Sequence, residues 1–251
     1  MWSAEILGLL AAIFALAGFV KGIVGLGLPT VSLAMTTAFL GLPAGMALLL
    51  FPSLIANLWQ ACSGGQIRAV LARIWPLLLP ATLCIPLGAS LLKDGNLPAL
   101  TATLGAVLIA YSVFGLFRLV PQVTLTAARR LWLGLLAGLA NGMLTGMTGS
   151  FVVPGIFYLQ SAGLNKDALI QAMGLLFTLS TLGLAVSLGG SGFLNRELAL
   201  LSALCVLPAL AGMLAGRALR RHIPEARFKQ ILFFALFLTG LGFLQDYAAA
   251  F

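Results

Sequence analysis

Eight runs of apolar residues, at about 4–40, 43–62, 74–92, 97–118, 131–161, 168–188, 198–219 and 228–245, fill almost the whole chain and are separated by short polar connections. Most are near the roughly 20 residues that an α-helix needs to cross about 30 Å of hydrocarbon. The pattern predicts an all-α integral membrane protein. The first and fifth runs are too long for one simple helix, and each holds helix breakers: Gly22, Gly25, Gly27 and Pro29 in the first, Gly142, Gly146 and Gly149 in the fifth. In a helix interior glycine loses about 1 kcal/mol against alanine and proline about 3. Both long segments are therefore expected to open near the middle of the membrane, as re-entrant hairpins or as double crossings.

The two openings can be aligned. Gly18-Phe19-Val20-Lys21-Gly22 matches Gly138-Leu139-Ala140-Asn141-Gly142, and one added residue brings Gly25 onto Gly146. In that register Lys21 is the mate of Asn141, and Asn57 and Gln60 match Thr178 and Thr181. The chain reads as a duplication, residues 1–122 and 126–247, joined by Pro121-Gln122-Val123-Thr124 into one transport domain. Internal similarity of this kind is common in transporters.

Composition agrees with the pattern. Of 251 residues 61% are hydrophobic and 8% charged, too little charge to cover a soluble surface. The net charge of +8 does not point to nucleic acid, because the basic residues sit in connections and not on one polar face. Met1 to Glu5 lacks the basic start of a signal peptide, so the first helix is expected to remain. Cys62, Cys84 and Cys205 are isolated and His222 is the single histidine, so buried apolar cysteines are expected, with no metal and no cofactor.

Charge placement also sets a topology. Arg68 and Arg73 follow the second run, Arg118, Arg129 and Arg130 join the halves, and Arg217, Arg220, Arg221, Arg227 and Lys229 surround the last connection. Basic residues in short loops mark the cytoplasmic side. Simple spans throughout would put the last cluster opposite the other two. An odd number of crossings per half brings all three clusters to the cytoplasm, which predicts inverted repeats of four segments with both termini periplasmic. The external loops then keep Lys93 beside Asp94 and Arg196 beside Glu197.

A broken helix inside a membrane must be buried in protein or line a polar cavity. Half-helices resuming near Leu28 to Val31 and Gly149 to Val152 would offer free N–H groups and the positive dipole end to an anion, in one site near the midplane between the repeats. Lys21 is the only charged side chain well inside an apolar run, at a cost of at least about 2.5 kcal/mol on insertion scales. It reads as an anion ligand, against the plainer reading of a snorkelling lysine. The candidate substrate site comprises Lys21, Gly22, Gly25, Gly27, Leu28, Pro29 and Thr30 at the first opening and Asn141, Thr145, Gly146, Thr148, Gly149 and Ser150 at the second. Asn57, Gln60, Thr178 and Thr181 join it from the helices that follow. Bonding between helices competes as the role of each hydroxyl. Trp59, Trp75 and Trp132 read as interface or packing residues, and Met143, Met147 and Met173 as packing.

No apolar run contains a buried Asp or Glu, so a carboxylate proton relay is not expected, and an interior-negative membrane would push an anion outward with about 2.3 kcal/mol per charge per 100 mV. An enzyme would need an intramembrane acid, base or nucleophile, and His222 falls in a loop.

The run Gly18 to Pro29, with Leu42-Pro43-Ala44, Pro52, Asn57 and Gln60, resembles the first-half signature of the sulfite exporter TauE/SafE family, also called TSUP. Gly138 to Gly149 is similar to its second glycine-rich run, with Thr148 and Ser150 where a glycine pair is often found. The resemblance implies transport of small sulfur anions, sulfite or organosulfonates, across a bacterial inner membrane, with export as the expected direction. An anion channel and a carrier of non-sulfur carboxylates are the alternatives. The expected partners are the small anion and the lipid bilayer, with no nucleic acid, and a homo-oligomer is compatible with the pattern.

Overall fold

The computed structural model describes residues 2–94, 96–117, 126–220, 222 and 224–249. Arg118, Arg221 and the linker 121–124 lie outside the described residues, as do the side chains of Lys93 and Asp94. The described chain is helical throughout: α1 (Ala4–Val24), α2 (Leu28–Leu40), α3 (Leu42–Leu48), α4 (Leu50–Cys62), α5 (Ile67–Leu83), α6 (Ile85–Asp94), α7 (Leu97–Phe117), α8 (Ala127–Thr148), α9 (Gly155–Ser161), α10 (Lys166–Ser191), α11 (Arg196–Leu204), α12 (Val206–Leu219) and α13 (Glu225–Ala249). Seven stretches are long and apolar enough to cross a membrane, and α3 with α4, bent by 44°, makes an eighth. This is an all-α, multi-span membrane protein.

The distribution of polarity fits lipid surroundings. Trp132, Val186 and Leu207 are each well over half exposed, whereas Lys21, Asn57, Asn141, Gln171 and Ser202 are buried. In water that arrangement would be costly; in a bilayer the exposed apolar side chains meet hydrocarbon, and the polar ones are kept from it. Trp59, Trp75 and Trp132 accordingly face outward. Cys205 is buried as expected and Cys84 partly so, but Cys62, at the end of α4, is exposed.

The chain divides into two compact units, each drawn from both sequence halves. One comprises residues 1–52, 97–117 and 193–251; the other comprises 53–96 and 118–192. Within the first, α1 packs along α12 and α7 along α13. Within the second, α8 packs along α5 and α6, with α10 and α9 against them.

Several glycines expected to open helices instead let helices touch. Gly22 lies inside α1, and Gly142 and Gly146 lie inside α8. A Cβ on Gly18 would collide with the Ala209 backbone, and one on Gly22 with Met213, Gly216 and Arg217. In the other unit a Cβ on Gly142 would meet Ala81, and one on Gly146 would meet Ile85, Gly88 and Ala89. Close backbone approach through small residues is the usual way membrane helices gain contact, since lipid supplies no hydrophobic drive. Contacts advance in the same sense on both partners, so α1 is parallel to α12 and α8 to α5–α6. Gly105 and Gly115 of α7 meet Gly240 and Phe233 of α13, an antiparallel pair.

Gly18 and Gly22 pack on facing backbone much as Gly142 and Gly146 do in the other unit, one helical turn along from the sequence alignment of the two halves.

Candidate functional site

Breaks occur where a left-handed residue is needed. α1 ends at Gly25 (φ 82°), whose N–H donates to the Lys21 carbonyl at 2.8 Å; α8 ends at Gly149 (φ 74°), whose N–H donates to the Thr145 carbonyl at 2.8 Å. Glycine takes this conformation without the Cβ penalty, so each is a helix C-cap. At about 1.5 Å per residue the 21 residues of α1 and 22 of α8 extend about 31–33 Å, a complete crossing. Each break therefore follows a helix long enough to span, not a half-length one.

At the first break Lys21 lies in the last turn of α1 and is 6% exposed. A cation there is favoured by the negative end of the helix dipole. Gly25 is exposed, and nothing lies within 4 Å of where its Cβ would be. Gly27 precedes α2, Leu28 and Pro29 form its buried first turn, and the buried Thr30 hydroxyl has no partner among the described residues. Arg217 packs its backbone on Gly22, and Phe228 stacks edge-on against Phe19 at 6.2 Å. The basic end of α12 and the basic start of α13 thus lie beside this break.

The second break is stitched by hydrogen bonds. The Thr145 hydroxyl donates to the Asn141 carbonyl at 2.7 Å and also approaches that of Ser150 at 3.3 Å. The Thr148 hydroxyl donates to the Leu144 carbonyl and accepts from the Ser150 N–H. Asn141 Oδ1 accepts from the Gly155 N–H at 3.0 Å and so holds the first residue of α9, which begins at Gly155 and not near Gly149. Asn141 Nδ2 and Ser150 Oγ are buried without a partner among the described residues.

After the break the chain runs back along α8. Tyr158 donates to the Arg130 carbonyl at 3.2 Å, and Arg73 Nε donates to the Ala162 carbonyl at 2.6 Å. Residues 149–162 thereby return to the level at which α8 and α5 begin.

The remaining candidates divide by role. Gln60 Nε2 donates to the Ile170 carbonyl at 3.0 Å, which makes it a clamp between α4 and α10. The Thr181 hydroxyl is engaged with the Phe177 carbonyl of its own helix. Asn57 is fully buried on α4, and the buried Thr178 hydroxyl has no partner. Phe177, next to Thr178, touches Phe151, next to Ser150, with ring centroids 5.3 Å apart. Gly22 and Gly146 face packed backbone.

Gln171 escaped the sequence reading. Its Nε2 donates to the Ala61 carbonyl at 2.9 Å, and its Oε1 accepts from the Gln66 N–H at 3.2 Å, fastening the end of α4 to α10. A polar residue within an apolar run was the available signal. Among the described residues no group of three or more His, Cys, Asp or Glu is placed to hold a metal.

A family model described as sulfite exporter TauE/SafE matches residues 10–243, nearly the whole chain. The chain belongs to the sulfite exporter TauE/SafE family. No curated protein and no solved structure matches it. The first-half run that resembles the TauE/SafE signature, Gly18 to Pro29, comprises the end of α1, the first break and the start of α2. Membrane transport of sulfite or related anions is what membership in the TauE/SafE family implies.

Proposed function

We propose that the protein is a carrier that exports a small sulfur-containing anion, sulfite or an organosulfonate, across a bacterial inner membrane. The observation that carries the reading is Lys21: a buried cation one turn before a break whose glycine is exposed to open space. Lys21 attracts and holds the anion, and the buried Thr30 hydroxyl at the same break adds a neutral donor. Gly22 supports this site by letting α1 approach α12.

The reading includes an inverted-repeat topology, and charge supports it separately in each unit. In the first, the ends of α1 and α12 lie on one side together with the start of α13, with Arg217, Arg220, Arg227 and Lys229. In the second, the starts of α5 and α8 share a side, with Arg68, Arg73, Arg129 and Arg130. The positive-inside rule assigns each of these sides to the cytoplasm. α1 then runs toward the cytoplasm and α8 away from it, the relation expected of inverted halves near 1–122 and 126–247, and both termini are periplasmic. The first helix of each half packs on the third segment of the other, α1 on α12 and α8 on α5–α6, a reciprocal exchange in keeping with a duplication.

The test is flux in liposomes. Sulfite, sulfoacetate and isethionate efflux should saturate and be stimulated by the same anion on the opposite face, and Lys21→Gln should lower transport about tenfold or more while the protein stays monodisperse. Flux that rises linearly with concentration would identify a channel, transport of carboxylates alone would move the substrate class, and undiminished transport in the lysine variant would remove Lys21 from the site.

A further inference from the structure

The bend between α3 and α4 is made without a glycine. Leu49 at the turn keeps a right-handed helical backbone (φ −74°, ψ −15°), yet the two helices diverge by 44°. Gly25 and Gly149 end their helices in left-handed conformations, whereas the torsions of Leu49 are compatible with one continuous helix. What is interrupted is the hydrogen bonding. In an unbroken helix the Leu48 carbonyl would receive the N–H of residue 52, and the Phe51 N–H would go to the Ala47 carbonyl. Residue 52 is proline and has no N–H to give.

Ser202 of α11 fills the gap. Its hydroxyl donates to the Leu48 carbonyl at 2.8 Å and accepts from the Phe51 N–H at 3.0 Å, so one fully buried side chain serves both groups left at the bend. Other buried hydroxyls behave differently: those of Ser32, Thr36, Ser112 and Thr181 each donate to the carbonyl four residues earlier in their own helix. For Ser202 that local acceptor would be the Leu198 carbonyl. Two sets of bonds are therefore open to the same groups. The bent set joins Ser202 to Leu48 and Phe51. A straight set would join Phe51 to Ala47 and Ser202 to Leu198, and would leave the Leu48 carbonyl unmade. Near-balanced alternatives of this kind are what a two-state element requires.

We infer that the bend between α3 and α4 is a hinge latched by Ser202, which opens and closes during the transport cycle. It lies where a change of angle is passed on. The chain crosses from the first compact unit to the second at Pro52–Ser53, within the first turn of α4. The far end of α4 is fastened to α10 by Gln60 and Gln171, so a turn at Leu49 carries α10 with α4. Ser202 is a positioning residue, because it acts through α4 and not on the anion. The use of the hinge in transport rests on the reading above; the hinge itself does not.

Two substitutions push the hinge the same way by different means. Ser202→Ala removes both latch bonds, and Pro52→Ala returns the N–H that the Leu48 carbonyl lacks, so each favours the straight form. Spin labels on cysteines at the exposed Leu58 of α4 and Leu204 of α11, in protein whose exposed Cys62 is first replaced by serine, would report the angle as a distance distribution. The expected result is two populations in the otherwise unchanged protein, with their ratio moved about tenfold toward the same member in both variants. Sulfite and sulfoacetate efflux from liposomes should then fall by about threefold or more at saturation in Pro52→Ala, with a smaller change in the half-saturating concentration. A bend that is only structural would instead show one distance throughout and wild-type turnover. An unchanged distance distribution in Pro52→Ala overturns the hinge, and a shifted one with turnover within about twofold of wild type overturns its part in transport. Absence of flux in the wild type overturns the transport reading and leaves the label distances to judge the hinge. Should Ser202→Ala fail to fold, Pro52→Ala decides by the same two measurements.

Discussion

Gly22 of α1 faces Gly216 of α12 so closely that a Cβ on Gly22 would lie 2.9 Å from the Cα of Gly216, and a Cβ on Gly216 would lie 3.1 Å from the Cα of Gly22. Gly146 and Gly88 meet in the same way in the other unit. Backbone cannot move aside as a side chain can, so Gly22→Ala and Gly146→Ala should each destabilise by about 1–3 kcal/mol or more. Gly8 is exposed on the same helix as Gly22 with nothing within 4 Å of a Cβ, so Gly8→Ala should change little. Thermal midpoints in detergent would separate the two classes. Equal midpoints for Gly8→Ala and Gly22→Ala would mean that the helices do not meet through glycine.

The breaks make a different demand. Gly25 has open space before it and a φ of 82°, so a side chain there suffers from conformation and not from collision. Gly25→Ala should cost about 1–2 kcal/mol, and Gly25→Asn less, because asparagine tolerates the left-handed region. The same order is expected at Gly149, with φ 74°. Alanine at either position behaving as well as asparagine would count against the left-handed cap.

The contrast between these two kinds of glycine marks what the sequence could disclose. All eight apolar runs became helices or helix pairs, and the two overlong runs did break, because span length and apolar content are local properties of the chain. Which glycine breaks and which packs depends on the facing helix, here α12 or α6, and no local pattern carries that. Gly134, Gly138, Gly142 and Gly146 recur once per helical turn, so glycine spacing alone leaves the pairing of the two halves open by one turn. No local pattern showed that Asn141 holds the first residue of α9. The openings were expected near the middle of the membrane because helix breakers alone do not show where a span begins, whereas α1 and α8 each have the length of a crossing before the break.

Topology can be read with thiol reagents. Cys62 is exposed and would give a background signal, so it is first replaced by serine. Single cysteines at Arg68 and Arg220 should then react only from the cytoplasmic face, and cysteines at Glu5 and Glu197 only from the periplasmic face. Arg68 and Arg220 reporting opposite faces would end the inverted-repeat assignment, since each half would then be oriented alike.

The returning arm of the second hairpin offers the last test. Two side-chain bonds tie its lower part to α8 and α5: the Tyr158 hydroxyl to the Arg130 carbonyl, and Arg73 Nε to the Ala162 carbonyl. Tyr158→Phe removes one neutral bond and keeps the ring that packs on Gly134 and Pro76, so a loss of about 0.5–1.5 kcal/mol is expected. Arg73→Leu removes a charged donor from an exposed side chain, so a loss of about 0.5–1.5 kcal/mol is expected there too. If the arm moves during transport, loosening it should alter turnover more than affinity, because neither residue is placed to touch the anion. Transport rates and apparent affinities measured in liposomes for both variants would decide this. A change confined to affinity would instead bring Tyr158 or Arg73 into the binding site.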